Sequence, residues 1–292
     1  MSDSILSTFT AVDGDNLAVQ DWYLSARAGV RATVILVHGL GEHIGRHEHV
    51  AEHLNRWGFS VRGYDQHGHG RSGGARGSLP TPTRLLDDLA DMVDSVRLRR
   101  GRGMPIVVMG HGMGAVVAAR FVYRSIRPVQ GLVLVSPAFA PRVGWLRQLA
   151  IDLWPSPLLG LNLGTGIQPS RLCHDSRVVR AYREDPYVHN RMSVRLARFL
   201  TDSGAAMVAR APKWKTPTLV LYGGADAVTD PGVTRRFASE APSGVVSAVC
   251  FDSMYHEIFN EARHALVYEQ LRDWLVGQFP VLPLPPSTGP KP

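Results

Sequence analysis

The chain has 292 residues, 45% of them hydrophobic, and a formal charge of +7 from 32 Lys and Arg against 25 Asp and Glu. That length and apolar content suit a single domain with a large core. They come with no run of 18 uninterrupted apolar residues to predict a transmembrane helix. Met1 to Ser4, without a basic or apolar run, are not expected to begin a signal peptide, and Cys173 and Cys250 make no disulfide framework. A cytoplasmic protein, or one peripheral to a membrane, is expected. The basic surface carries no nucleic-acid motif and no aromatic–basic stripe, so nucleic acid is not expected as a partner.

Apolar runs predict strands at residues 17–22, 33–37, 60–64, 106–109, 132–135, 218–222 and 245–251. Helical patterns lie between them, as at 83–99 and 115–124. The alternation predicts an α/β fold, a mostly parallel sheet with helices on both faces. It stops between Pro137 and Pro212, where Trp145, Leu146, Leu149, Ile151, Leu153 and Trp154 make a segment too apolar for a solvated loop. Core burial, an acyl pocket and contact with a bilayer all remain open for that segment. Residues 280–292 are a Pro-rich tail.

The first strand with chemistry at its end is 33–37, followed by His38-Gly39-Leu40-Gly41-Glu42-His43. Glycines there let the main chain turn its amides inward, which makes the Leu40 N–H a candidate oxyanion donor. His43, His47, His49 and His53 form two i, i+4 pairs that could ligate zinc with a third ligand. Placed among Glu42, Glu48 and Glu52, they are expected on a solvated helix face instead, and no metal or cofactor is expected. Asp65 to Ser72 is a glycine-rich loop whose polar side chains are expected to tie it beneath the site.

Residues 105–119, PIVVMGHGMGAVVAA, are the most informative stretch. A strand turns through Gly110-His111-Gly112-Met113-Gly114 into an Ala- and Val-rich helix, the setting of the G-x-S-x-G nucleophile elbow. Gly112 stands where the elbow carries its serine. The same residues fit G-x-G-x-x-A of dinucleotide sites, but no acid follows at the distance needed to hold a ribose. Met113 supplies the second candidate oxyanion amide. Downstream, Asp226 ends the strand 218–222 and His256 follows the last strand, in the chain order of an α/β-hydrolase triad. There Asp226 would fix the imidazole tautomer and His256 would move the proton. Asp230, before Pro231, reads as a helix N-cap, and Asp252 has poor reach.

HGLGEH at 38–43, YDQHGHGRSGG at 64–74, GHGMG at 110–114, GGAD at 223–226 and YHEIFNE at 255–261 resemble the monoacylglycerol lipase and lysophospholipase group of the α/β-hydrolases. The resemblance runs from about Thr8 to Phe279. It implies the α/β-hydrolase fold, with a core of residues 1–136 and 213–279 and a helical cap at 137–212. It implies a serine hydrolase acting on monoacylglycerols, lysophospholipids or similar acyl esters, with a triad at 112, Asp226 and His256 and oxyanion amides at Leu40 and Met113. Gly39, His111, Trp145, Leu149, Leu153 and Trp154 are the candidate substrate-binding residues, and the cap is a candidate for membrane contact. Gly112, natural or introduced, departs from the pattern and predicts an inactive scaffold for lipid-type carboxylic esters. The alternative is a non-catalytic binding protein for a hydrophobic acyl ligand such as a fatty acid.

Overall fold

The computed structural model describes residues 4–24, 29–101, 103–142 and 159–281. Eight strands form one sheet: β1 (Ser4–Thr10), β2 (Asn16–Trp22), β3 (Ala32–Val37), β4 (Phe59–Tyr64), β5 (Ile106–His111), β6 (Gly131–Val135), β9 (Thr218–Gly223) and β10 (Val246–Phe251). Their order across the sheet is β1-β2-β4-β3-β5-β6-β9-β10. β2 is antiparallel to both of its neighbours, and the pairs from β4 to β10 are all parallel. The central strands β3, β5 and β6 are buried on both faces, which is why they are near-continuous Val, Ile and Leu.

Helices α1 (Glu48–Arg56) and α7 (His264–Gln278) cover one face of the sheet, burying Val50, Leu54, Val267, Leu271 and Leu275. On the other face lie α2 (Arg84–Arg100), α3 (Met113–Tyr123), α5 (Val194–Arg210) and α6 (Pro231–Glu240), through Leu86, Val117, Phe199, Leu200 and Phe237. Between β6 and β9 the described residues also hold a short antiparallel pair, β7 (Asn162–Gly164) with β8 (Arg191–Ser193), and the helix α4 (Ser176–Glu184). This is an α/β-hydrolase fold. The strand β1 was not anticipated. It is an edge strand that exposes Ile5 and Leu6, so no one-sided burial marks it in the sequence.

The histidines after β3 differ from expectation. Residues 44–47 form a 3₁₀ turn, and α1 begins only at Glu48. No solvated face results. His43 Nε2 meets Asp185 Oδ2 at 2.8 Å, His47 Nε2 meets Glu42 Oε1 at 3.0 Å, and the His53 ring stacks on Tyr268 at 3.9 Å. The partners of His43 and His53 stand far off in sequence, where periodicity cannot see them.

The turn from β5 into α3 depends on backbone packing. A Cβ on Gly114 would overlap the Val37 carbonyl oxygen and lie 2.5 Å from that of His38. On Gly110 it would lie 2.5 Å from the Gly114 carbonyl carbon. Backbone atoms at both places have no rotamer to retreat into. Gly114→Ala is therefore expected to lower the unfolding free energy by roughly 3 kcal/mol, the upper range for core overpacking, measured by urea denaturation. A loss under about 0.5 kcal/mol, the range of an unstrained surface change, would contradict the close approach.

Candidate active site

The loops after β3, β5, β9 and β10 meet at the carboxyl edge of the sheet, where ligands gather in open α/β folds. Gly112 caps α3 with φ +52° and ψ −111°, a backbone conformation that side chains strain to adopt. Its N–H donates to Val135 O at 3.0 Å and its carbonyl accepts from Ala138 N at 3.1 Å. A Cβ there would lie 3.2 Å from His256 Nε2 and 3.8 Å from Gly39 Cα. Met113 opens α3, so its N–H has no carbonyl within the helix to bond. Leu40 and Gly39 line the same pocket as Gly112, Met113 and His256.

His256 Nδ1 meets Asp226 Oδ2 at 2.7 Å, both residues buried. Asp226 also accepts from Val228 N, Thr229 N and Thr229 Oγ1 at 2.7, 3.0 and 2.8 Å. Burial alone would raise the Asp226 carboxyl. The His256 charge and hydrogen bond and the Thr229 donors outweigh it and bring the pKa down to about 2. An acid so held stays ionised and fixes the ring that it faces. Asp230 accepts from Gly232 N and caps α6, while Asp252 accepts from Cys250 Sγ at 3.5 Å.

A second set of buried charges adjoins the first. Glu42 Oε1 accepts from Gly39 N at 2.5 Å, and Glu42 Oε2 from Arg46 Nε at 3.2 Å. Arg46 also donates to both oxygens of Glu257 at 2.9 Å and lies over the Tyr182 ring at 4.7 Å. His111 Nδ1 is 3.1 Å from Glu42 Oε1, and its ring is 4.9 Å from that of His256. Burial works to raise the Glu42 carboxyl, but His47 and His111 hold it well below the usual range. Burial likewise works to lower His111, and the Glu42 hydrogen bond and charge raise it instead. Glu42, His47 and His111 offer ligand atoms within 4.8 Å of one another, as a metal site would. Hydrogen bonding already accounts for that arrangement.

The pocket has a volume near 300 Å³. Ala138, Leu172, Met192, Ala197, Leu200 and Val228 supply apolar wall, and Glu42, Tyr182, Thr201 and Glu257 polar wall. Of the residues expected to bind substrate, Gly39 and His111 line it. Trp145, Leu149, Leu153 and Trp154 lie outside the described residues. Tyr182 and the Arg46–Glu257 pair were missed, because each becomes part of the site only through folding. The loop after β4 is tied beneath: Asp65 accepts from Ile44 N and Arg71 N, and Gln66 Nε2 donates to His38 O.

Residues 28–263 match the family described as serine aminopeptidase S33. The chain belongs to that α/β-hydrolase family. Over 275 residues it is 30% identical to a monoacylglycerol lipase of Mycolicibacterium smegmatis, covering 92% of this chain and 96% of that protein. It is 28% identical over 282 residues to an uncharacterised abhydrolase domain-containing protein of Dictyostelium discoideum, of which it spans 29%. A monoacylglycerol lipase structure from Paleococcus ferrophilus superposes with a TM-score of 0.78 at 29% identity, over 94% of this chain and 99% of that one. A soluble variant of the Saccharomyces cerevisiae monoglyceride lipase shares the fold, with a TM-score of 0.87 at 20% identity over 96% and 97% of the two chains. The chain therefore has the scaffold of a lipase- or esterase-type serine hydrolase. No helix of the described residues is long and apolar enough to cross a membrane.

Several histidines near this S33-family site are held neutral. Burial and the nearby charges of His47 and His53 lower His49 to about 4, and burial and Arg76 lower His189 to about 4. Burial also lowers His38, His67 and His69. His189 N donates to Gly41 O, and its Nε2 lies 3.2 Å from Gly68 O, so it fastens residues 159–193 to the site loops. Each group has a folded pKa below its unfolded 6.5, so the unfolded chain binds more protons between the two values. Stability is then complete above about 6.5, falls as the pH falls toward 4 and levels off below. His49 alone contributes on the order of 3 kcal/mol to that loss. Urea unfolding from pH 8 to pH 4 should show the decline, and His49→Gln should shrink it; a flat profile would contradict the burial.

Proposed function

We propose that this chain is a hydrolase scaffold for carboxylic esters of lipid type, of the monoacylglycerol or lysophospholipid kind, and that Gly112 leaves it binding them without covalent turnover. The observation that carries this reading is His256 Nε2 facing position 112 across 3.2 Å to the place of a Cβ. Given a serine there, His256 would take the hydroxyl proton and return it to the leaving alcohol. Asp226 would hold the imidazole by its Nδ1–H. The amides of Leu40 and Met113 would receive the negative charge of the tetrahedral intermediate. With glycine there is no oxygen to attack the carbonyl and no acyl-enzyme. The monoacylglycerol lipase relatives and the apolar pocket wall support a lipid-like acyl ligand. In this reading the insertion between β6 and β9 is a cap.

Hydrolysis of a short p-nitrophenyl ester by the unaltered chain should fall below that of Gly112→Ser by a factor on the order of 10⁴ to 10⁶ in kcat, the residue of binding and oxyanion contacts. The serine variant should lose kcat by about 10⁴ on adding Asp226→Asn. It should also be less stable by roughly 1–3 kcal/mol, because serine must adopt the backbone at 112 that glycine takes freely. Equal turnover with and without the serine would refute the assigned register.

A second reading, a protein whose function is binding alone, is favoured by one observation. Position 112 has φ +52°, a conformation that glycine adopts without strain, so the fold gains stability where a nucleophile would cost it. A serine variant that folds and binds acyl ligands but hydrolyses none would select it.

A further inference from the structure

We propose that the pocket selects an acyl ester whose alcohol part carries a phosphate, held by Arg142 and Arg171. The inference rests on the acyl-ligand reading above and narrows it to anionic esters. Its basis is charge balance within the pocket. The two wall carboxylates are already answered, since Arg46, a half-buried side chain, bonds both Glu42 and Glu257. Arg142 and Arg171 line the same pocket and are not answered in this way. Among the described residues the Arg142 guanidinium comes no nearer to an acid than 3.8 Å, at Asp230 Oδ1, and that oxygen already accepts from Gly232 N. The Arg171 side chain has no hydrogen-bond or ion-pair partner among the described residues.

Backbone contacts place these two exposed arginines beside the candidate pair. Arg142 N donates to Val228 O at 2.9 Å, in the turn that follows Asp226. Arg171 precedes Leu172, whose carbonyl accepts from Glu257 N at 2.8 Å, beside His256. Each arginine thus enters beside one of the two loops that carry the candidate proton-handling pair. The apolar wall of Ala138, Met192 and Leu200 takes the acyl chain, and an anion lodged there would be uncompensated. The charge must then sit on the alcohol side of the ester. Two planar guanidinium forks suit a phosphate, which has oxygens enough for both and a charge large enough to engage both. A neutral glycerol ester would leave both cations in water and gain nothing from them.

Because the unaltered chain is expected not to turn esters over, equilibrium binding can be measured directly. Calorimetric titration with 1-decanoylglycerol and with its 3-phosphate, both below their micellar concentrations, gives the ratio of the two affinities. That ratio should favour the phosphate by about tenfold or more at low salt, as for a partly exposed pair of charge-assisted contacts. It should fall to about twofold or less at roughly 0.3 M salt, and likewise in the double variant Arg142→Gln/Arg171→Gln. A variant that has lost its fold lowers both affinities and leaves the ratio unreadable as selectivity, so Arg142→Gln and Arg171→Gln are also titrated singly. Each single variant should lose part of the preference. Equal affinities in the unaltered chain, or a preference that survives the double variant, would overturn the phosphate assignment alone. If neither ligand binds, the acyl-ligand reading falls with it.

Discussion

The arrangement of this site depends on how closely the start of α3 lies against the end of β3. Gly110 and Gly114 allow backbone to meet backbone there, and no side chain fits between the Gly114 Cα and the carbonyls of Val37 and His38. That approach sets the first turn of α3 beside Gly39 and Leu40, so residues from the ends of two separate strands line one pocket. From the far side, Gly112 is tied to the end of β6 through Val135 and Ala138. The turn is thus clamped between the strands that flank β5. A helix start fixed in this way leaves its leading N–H groups unbonded and directed at a ligand.

Around the clamp, the buried carboxylates Asp226 and Glu42 are fully hydrogen-bonded. Asp226 has three donors besides His256, and Glu42 has partners for both oxygens. Removing one member of such a group leaves an uncompensated charge in a dry place, which costs far more than the group contributes as a whole. Each group joins loops from different strands. Arg46, from the turn before α1, bonds Glu257 beyond β10, and Ser136, after β6, bonds the carbonyl of His256. The polar network therefore holds the loop ends in register, and this holds whatever stands at position 112.

The features legible in the sequence are those with local causes. Runs such as Val34 to Val37 and Ile106 to Met109 are apolar throughout because both faces are buried, and that reads directly as a central strand. Asp226 could be chosen over Asp230 because a proline follows the latter, and the capping bond to Gly232 is the physical content of that signal. β1 escaped because an edge strand with exposed Ile5 and Leu6 carries no one-sided pattern. Tyr182, Arg46 and the partners of His43 and His53 escaped for another reason. Their contacts join residues more than 100 positions apart, and only the topology says which of them meet.

Position 112 brings these constraints together. Its backbone, at φ +52° and ψ −111°, is dictated by neighbours on both sides and strains any side chain placed there. A serine there is strained for the sake of chemistry, and strain of that kind persists only where the surroundings over-determine the backbone. Glycine relieves it without asking any neighbour to move, since nothing in the fold leans on a side chain at this point. The imidazole of His256 keeps its partner in Asp226, and the wall of the pocket keeps its shape. Loss of the attacking oxygen and retention of the binding site are therefore separable by construction. On the function proposed above, a chain with glycine at 112 would lose turnover while keeping the pocket wall that would hold an acyl ligand.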